Sequence, residues 1–220
     1  MKKPLILIIL GKSGSGKGTQ ADLLIKKFKL EHVSSGDLLR ARAKRADFIG
    51  KKTKKILNTG GLVPLSAIFN LWFQRLEYLK NKKNINGIVL DGMPRKLFEA
   101  NLLDDALGWF EWGKNVKAFL VDISNKEAIR RLTTRRLCKD CKEIIPFVGK
   151  FKEMTKCPKC GGELEKRTDD NVAAAKNRLA WFKTDVQPVI NYYRKTGRLI
   201  KINGEQSIED VFKDVLKFIK

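Results

Sequence analysis

One short glycine-rich stretch constrains the fold of this chain more than any other feature of its sequence. It reads GKSGSGKGTQ over residues 11–20, between an apolar run at 4–10 and a helical pattern at 21–30. The glycines allow a tight turn that aims several backbone N–H groups inward, and the following helix adds the positive end of its dipole. A strand, such a loop and a helix in this order predict a site that holds a phosphate chain.

The lysine of this loop, Lys17, is placed to reach the outer phosphates as a point charge. The usual motif continues with Ser or Thr, whereas this chain has Gly18 and only then Thr19. A direct bond from a loop hydroxyl to a metal ion therefore does not follow from the motif.

The chain is strongly basic, with 46 Lys and Arg against 24 Asp and Glu in 220 residues and a formal net charge of +22. Such a balance suits polyanionic partners, which include nucleotides, nucleic acids and anionic surfaces. Ordinary solvated lysine faces are the plainer explanation, as for Lys26, Lys27 and Lys29 on one helical pattern. No RNA- or DNA-reading motif occurs, so we do not expect a nucleic-acid partner.

Targeting signals and cysteine usage indicate the compartment. No apolar run approaches the ~18 residues of a membrane span, so we expect no membrane partner. The first ten residues imitate a signal peptide, but the glycine loop follows them without a cleavage site. All four cysteines lie between 138 and 160 in two close pairs, which favours metal binding in a reducing, cytoplasmic environment over disulfides.

Short β-type runs alternate with helical patterns, which is typical of a parallel sheet with helices on both faces. The two stretches that break this alternation lie at 37–66, basic and helical, and at 132–168, which carries the cysteines. We expect both to be insertions at the rim of the site, with the core formed by 1–36, 67–131 and 169–220. Five strands are predicted, at residues 5–10, 32–34, 87–90, 116–121 and 199–202. Helices are predicted at 37–45 and 51–57, from Pro64 onward, and after the capping residue Ser207.

Two C-x-x-C pairs separated by fifteen residues predict a tetrahedral metal site. Four protein ligands close the coordination sphere, so the expected ion is a structural zinc rather than a catalytic one. Iron would suit the same four thiolates, and the sequence leaves the two metals open. The ligands are Cys138, Cys141, Cys157 and Cys160.

Two further groups of residues suit phosphate chemistry. The apolar run at 88–90 ends in Asp91, and a carboxylate beside a phosphate loop can hold the hydration shell of Mg²⁺. Arginines bind phosphoryl oxygens in a bidentate manner, and several lie near the ends of predicted elements. His32, the only histidine, has no Ser or Cys partner and is expected to be structural. The arginines are Arg40, Arg95, Arg131, Arg135, Arg136, Arg167 and Arg178.

Taken together, these motifs resemble the adenylate kinase family of nucleoside monophosphate kinases, in the same order and over nearly the whole chain. The glycine loop is similar to that of the family, with Ser13 where a proline is usual. In the stretch at 34–37, Ser35 stands where a threonine is usual. The other stretches that carry the resemblance are SSGD at 34–37 followed by Arg40, GLVP at 61–64, DGMPR at 91–95, RLTTRR at 131–136, and Arg167, Asp169, Asp170 and Arg178.

The resemblance implies a P-loop NTPase-type five-stranded parallel sheet, a helical insertion that binds the monophosphate, and a zinc-ribbon-like lid. It implies the reaction MgATP + AMP ⇌ 2 ADP, catalysed by a monomer. The implied catalytic residues are Lys17, Asp91, Arg95, Arg135, Arg167 and Arg178. The implied ATP-binding residues are Gly14, Ser15, Gly16, Lys17, Gly18, Thr19, Arg131 and Arg135. The implied AMP-binding residues are Ser35, Arg40, Leu62, Val63, Gly92, Arg95, Glu99, Arg167 and Arg178.

Glu99 departs from the family pattern, which has at this position a glutamine that reads adenine. An amide can accept from the adenine amino group and donate to N1, whereas an ionised carboxylate only accepts. Guanine offers two donors on that edge. AMP can still bind if the Glu99 carboxyl group is protonated, if it accepts only from the adenine amino group, or if it pairs with Lys96. We expect AMP as the acceptor, with weakened discrimination against GMP.

Alternative functions remain at this point. Another nucleoside monophosphate kinase, with GMP, CMP or UMP as acceptor, would share these motifs. A zinc-containing thymidine kinase also joins a phosphate loop to zinc, but it gives no reason for the DGMPR stretch or the paired arginines. A nucleotide-dependent nucleic-acid-binding module with a zinc ribbon would need stacking aromatics, and residues 132–168 contain only Phe147 and Phe151.

Overall fold

A computed structural model describes residues 4–167 and 170–219 of the chain. The described residues form eight strands: β1 (Leu5–Leu10), β2 (Glu31–Ser34), β3 (Gly87–Asp91), β4 (Val116–Asp122), β5 (Arg136–Cys138), β6 (Ile144–Ile145), β7 (Leu164–Glu165) and β8 (Leu199–Asn203). The helices are α1 (Lys17–Phe28), α2 (Ser35–Ala43), α3 (Phe48–Asn58), α4 (Leu65–Asn81), α5 (Leu97–Trp109), α6 (Asn125–Thr134), α7 (Val172–Trp181), α8 (Gln187–Lys195) and α9 (Ile208–Leu216).

Five of the strands form one parallel sheet in the order β2-β3-β1-β4-β8. In β1, the central strand of this sheet, Ile8 lies opposite Leu90 of β3 and Ala118 of β4. Because the strands are parallel, their carboxyl ends meet at one edge of the sheet. The glycine loop, Ser34 and Asp91 therefore come together there, as expected for an open α/β sheet.

The side chains of β1 alternate between two hydrophobic cores, one on each face of the sheet. Ile6 and Ile8 pack into the core that holds Trp72 of α4, whereas Leu7 and Ile9 pack into the core beneath α1 and α9. This period of two explains why a strand buried on both faces is apolar at every position. Burying each such side chain contributes roughly 1.5–3 kcal/mol relative to exposure.

The predicted fold class is confirmed, with all five core strands within one residue of their expected bounds. The two helices of the basic segment begin earlier than predicted. The Ser34 hydroxyl accepts from the Asp37 N–H, so α2 begins at Ser35 rather than at residue 37. Likewise the Asp47 carboxylate accepts from the Gly50 N–H, so α3 begins at Phe48 rather than at 51. Both starts are set by capping side chains and not by apolar periodicity.

The cysteine-bearing segment forms a small antiparallel sheet in the order β6-β5-β7. Its core is small, with Cys138, Ile145 and Cys157 buried together. The division at 37–66 and 132–168 stays a prediction, and Thr168 at the second boundary lies outside the described residues, as does Asp169. Among the described residues, no helix is both long and apolar enough to cross a membrane.

Candidate active site

A cleft of about 850 Å³ opens at the carboxyl edge of the main sheet. Residues from the glycine loop, the helical segment and the cysteine-bearing segment line it. A smaller pocket adjoins it between α2, α4 and α5. The cleft is lined by the predicted residues Gly14, Ser15, Gly16, Lys17, Gly18, Thr19, Arg40, Asp91, Gly92, Arg95, Arg131, Arg135, Arg167 and Arg178. The pocket is lined by Ser35, Leu62, Val63, Gly92, Arg95 and Glu99.

The glycine loop requires glycine at its turning points. Gly14 and Gly16 have φ of 85° and 94°, in the left-handed region that favours glycine. A Cβ on Gly14 would also lie 3.0 Å from the carbonyl oxygen of Ala128 in α6. The loop is therefore pressed against α6 while its N–H groups remain at the start of α1, where an anion is favoured.

Lys17 is the first residue of α1 and points back into the loop. Its Nζ donates to the carbonyl oxygens of Gly11 (2.8 Å) and Lys12 (2.7 Å). Burial lowers the pKa of Lys17 to about 8, Asp91 raises it, and nearby arginines lower it further. The site thus holds an excess of positive charge that an anion would relieve.

Asp91 ends β3 beside the first turn of α1. A Cβ on Gly18 would lie 3.8 Å from the Asp91 Oδ2, so the carboxylate faces the position where the usual motif has a hydroxyl. Glycine at 18 leaves space between this carboxylate and the loop. This arrangement suits a metal ion that keeps its water shell.

Three arginines from three parts of the chain converge on one buried carboxylate, Asp170, whose side chain is 2% exposed. Arg135 donates to it through both Nε and Nη2, with the Nη2–Oδ1 distance at 2.7 Å. The Arg178 Nη1 donates to Oδ1 at 3.1 Å, and the Arg167 Nε lies 3.8 Å from Oδ2. Asp170 therefore holds together the cations on one side of the cleft, a position that spacing alone did not reveal.

Arg95 is fixed by the loop that follows β3. Its Nε donates to the Gly92 carbonyl at 2.8 Å, and its Nη2 donates to the Ser35 hydroxyl at 3.2 Å. The Ser35 hydroxyl in turn donates to the same Gly92 carbonyl at 2.6 Å. The guanidinium lies 5.4 Å from the ring centroid of Trp181, whose indole N–H donates to Gly60. Trp181 is a site residue without any sequence signal, because it follows Arg95 by 86 positions.

The two outer arginines are held by acids on their own helices. Arg40 donates to Asp37 at 2.6 Å, with its side chain 46% exposed. Arg131 donates from Nε to Glu127 at 2.6 Å, and its Nη1 lies 3.5 Å from the Ser15 carbonyl. Hydrogen bonds from Arg130 and Arg131 lower the pKa of Glu127 to about 2, so it stays ionised. Arg131 is thereby placed beside the glycine loop.

Glu99 is a buried carboxyl group, 4% exposed, in the pocket beside the cleft. Its Oε2 accepts from the backbone N–H of Arg95 at 2.6 Å, as a residue at the third position of a helix often does. Burial raises its pKa, whereas the Arg95 N–H lowers it. The suggested pairing with Lys96 is not formed, because the Lys96 Nζ lies 3.4 Å from Asp185. The pocket walls beside Glu99 are apolar: Leu39, Leu62, Val63, Leu65 and Ile68.

The four cysteines meet at one point. Their sulfur atoms all lie within 4.8 Å of one another, with Cys138–Cys160 at 3.4 Å and Cys141–Cys157 at 3.6 Å. All four are free thiols. A tetrahedral zinc with bonds of about 2.3 Å needs its sulfur atoms about 3.8 Å apart, so this set fits the ion. The Lys159 N–H also points to the Cys157 sulfur at 3.4 Å, as in a metal knuckle.

Comparison with known proteins gives a consistent result along the chain. A family model described as "Adenylate kinase" matches residues 9–198. A protein named adenylate kinase from Chlamydia muridarum is 36% identical, with 98% of this chain and 87% of that protein aligned. Adenylate kinases from Methanothrix thermoacetophila and Archaeoglobus fulgidus are each 37% identical, with 97% and 95% of both chains aligned respectively.

Proposed function

Because the chain belongs to the adenylate kinase family, we infer that it catalyses the reversible transfer of a phosphoryl group from MgATP to AMP. The observation that carries this conclusion is the convergence of cations on one cleft. Lys17 enters it from the glycine loop, Arg95 from the loop after β3, and three arginines from around Asp170. We expect two nucleotides with about six negative charges to bind between them.

Phosphoryl transfer between the two nucleotides requires that their phosphates be positioned and their charge neutralised, and it requires no general base. The attacking atom is a phosphate oxygen of AMP, which is already ionised at neutral pH. Its approach to a second polyanion is opposed by repulsion, and positive groups fixed around the migrating phosphoryl remove that barrier. We propose that Lys17, Arg135, Arg167 and Arg178 surround the transferred group, and that Arg95 and Arg40 hold the acceptor phosphate.

Asp170 is proposed as a positioning residue for three of these arginines. Its buried carboxylate lies within 4.0 Å of Arg135, Arg167 and Arg178. Bringing three guanidinium groups together without ligand costs repulsion, and one buried anion offsets it. The planar guanidinium groups of the three arginines are then already positioned to donate paired hydrogen bonds to phosphate oxygens.

Mg²⁺ accompanies the donor nucleotide in this family's reaction, and we propose that Asp91 would hold it here. When bound, the ion would supply positive charge that offsets the charge of the donor phosphates. Gly18 provides no hydroxyl, so we propose that Asp91 acts on the ion through its water shell. The donor side is completed by Gly14, Ser15, Gly16, Gly18 and Thr19 around the phosphates and by Arg131 beside the adenine.

The acceptor base is proposed to lie in the pocket that Glu99 closes. Leu62 and Val63 line one wall, and Ser35 and Gly92 lie towards the cleft that holds the phosphate. Pocket and cleft share Arg95, so a monophosphate can span both. A mostly apolar slot with a few polar groups is a common way to hold a purine.

We propose that Cys138, Cys141, Cys157 and Cys160 bind one structural Zn²⁺. The small sheet around them has a core too slight to be stable without the ion. Four reduced thiolates require a reducing compartment such as the cytoplasm. We further propose that 37–66 and 132–168 are mobile insertions that close over the core of a monomer and keep water from the reaction.

The activity is tested by coupled assay of ADP formation from ATP and AMP, with Lys17→Met beside the wild type. Loss of this positive charge at the transferred phosphoryl should lower kcat by roughly a hundredfold or more. Lys27→Met, an exposed change near the end of the same helix, is the matched control and should leave kcat unchanged. Turnover near the wild-type value in Lys17→Met, with an unchanged Tm, would contradict the proposed role.

A further inference from the structure

The segment between β2 and α4 carries more positive charge than its length accounts for. Residues 35–64, which form this segment, contain eight Lys or Arg and two acids, Asp37 and Asp47. Of these cations only Arg40 lines the cleft. The phosphate chemistry therefore leaves most of this charge unexplained.

Both acids of this segment are already engaged, and Asp37 accepts from Arg40 at 2.6 Å. Asp47 accepts from Arg42 at 2.8 Å, lies 3.3 Å from Arg45, and caps α3 through the Gly50 N–H. No lysine of α3 forms a salt bridge with any residue that the structure describes. By contrast, the exposed lysines in and directly after α9 are paired, Lys213 with Asp210 and Lys217 with Asp214. The charge on α3 is thus free for an external partner.

These cations share one side of α3 with an exposed aromatic ring. Phe48, Lys51, Lys52 and Lys55 follow the i, i+3, i+4, i+7 spacing of a single helical face, which we call the lysine face. The Phe48 side chain is 75% exposed, and its neighbour Ile49 is 46% exposed. The Lys52 Nζ lies 5.4 Å from the Phe48 ring centroid. The opposite side of the helix is buried, at Gly50 and Thr53.

We propose that the lysine face docks the protein reversibly on an anionic lipid bilayer. Lysines near such a surface gain electrostatic attraction, and their long stems can lie along apolar material while the ammonium groups remain in water. Phe48 and Ile49 would enter the boundary between headgroups and acyl chains, as in interfacial helices. The expectation of no membrane partner rested on the lack of a spanning run, which this mode of binding does not need.

The composition of the face favours lipid over nucleic acid. The exposed cations of α3 are all lysines, whereas bidentate recognition of nucleic-acid phosphates favours arginine. Single-stranded nucleic acid also stacks on successive aromatic rings, and the neighbour of Phe48 is an aliphatic residue that cannot stack. The face lies outside the cleft lining, so a docked protein would keep access to its nucleotides.

The test is co-sedimentation of the full chain with vesicles of phosphatidylcholine alone or with about one third phosphatidylserine. We expect binding only to the anionic vesicles, weakened by high salt. The variant Lys51→Gln/Lys52→Gln/Lys55→Gln should bind at least tenfold more weakly, and Phe48→Ser should bind more weakly at unchanged charge. A matched variant, Lys27→Gln/Lys213→Gln/Lys217→Gln, removes three charges elsewhere and should bind nearly as well as the wild type.

AMP turnover at the wild-type rate in every variant shows that each one folds. Equal loss of binding in the two triple variants would overturn the proposal, because the attraction would then come from net charge alone. Absence of anionic-vesicle binding by the wild type would also overturn it. The proposal would also be overturned if the lysine-face variant keeps vesicle binding but loses binding to single-stranded polynucleotide, since the partner would then be nucleic acid.

Discussion

At the scale of single residues, Glu99 sets the most specific problem for the base that this chain accepts. Its Oε2 already accepts the Arg95 N–H, and the same residue closes an apolar pocket. An ionised carboxylate at this position offers the base acceptors only. Adenine presents its amino group and the N1 lone pair there, so one of its two polar atoms is left without a partner.

Glu99→Gln should therefore raise kcat/KM for AMP relative to GMP by about tenfold or more, since an amide can also donate to N1 and no longer accepts twice from guanine. The measurement is kcat/KM for AMP, GMP, CMP and UMP in both proteins. Asp105→Asn, an exposed change on the same helix, is the control and should not alter any ratio. An unchanged AMP-to-GMP ratio in Glu99→Gln would show that Glu99 does not read the base.

Lys17 leads to a prediction about pH. Burial and neighbouring arginines hold its pKa at about 8 without ligand. Bound phosphates favour the ammonium form and raise that pKa, so binding takes up a proton where free Lys17 is partly neutral. Affinity for a non-hydrolysable MgATP analogue should thus fall as pH rises through about 8.

Calorimetric titration at pH near 8 in two buffers of different ionisation enthalpy measures this proton uptake directly. Lys17→Arg is the informative variant, because its guanidinium keeps the charge but does not titrate in this range. It should bind without proton uptake. If wild type and variant take up the same number of protons, another group is responsible.

The sequence could locate residues at the cleft where a motif fixes local geometry, but it could not do so where contacts join distant parts of the chain. The glycine loop carries its own backbone geometry, so Gly14 to Lys17 could be assigned to the cleft. Trp181 beside Arg95 has no such signal, because only the packing of α7 against the core brings the two together. Asp170 was visible as part of a motif, but its contacts with three arginines were not.

At the scale of elements, the cysteine-bearing sheet differs from the rest of the fold. Its strands are only two or three residues long and have no apolar period, so sequence could indicate the metal but not the strands. Strands β1, β3 and β4 were predictable because each is an apolar run that the sheet buries on both faces. The starts of helices α2 and α3 could not be predicted from periodicity, since their capping residues precede any periodic apolar pattern.

Elemental analysis should find one zinc per chain, and Cys138→Ser should lose it. Without the ion the small sheet loses the metal–sulfur bonds that stabilise it, so Tm should fall by several degrees or more. The chemical step at low temperature should change less than the stability. Thr155→Ser, an exposed change in the same segment that touches no sulfur ligand, is the control. Cys138→Ser protein with full zinc content and wild-type Tm would refute a four-cysteine site.

At the scale of the whole molecule, the cleft gathers like charges from three parts of the chain. Lys17 and Arg95 belong to the core, Arg40 to the helical segment, and Arg135 and Arg167 border the cysteine-bearing segment. Without phosphates these cations repel one another across the cleft, and the carboxylates Asp91 and Asp170 offset only part of that repulsion. A ligand with many negative charges reverses the sign of the interaction. Closure of both segments should thus depend on ligand charge and weaken with salt.

Hydrogen exchange with and without a bisubstrate analogue, two adenosines joined by a phosphate chain, tests this closure. Amides in 37–66 and 132–167 should become slower to exchange when the analogue binds, whereas β1 and β4, already buried at the centre of the sheet, should not change. AMP alone should protect 37–66 and leave the cysteine-bearing segment as it was, because it reaches only the acceptor side. If both segments exchange at the same rate with and without a saturating concentration of the analogue, they do not close over the ligand. Water would then be excluded by another route.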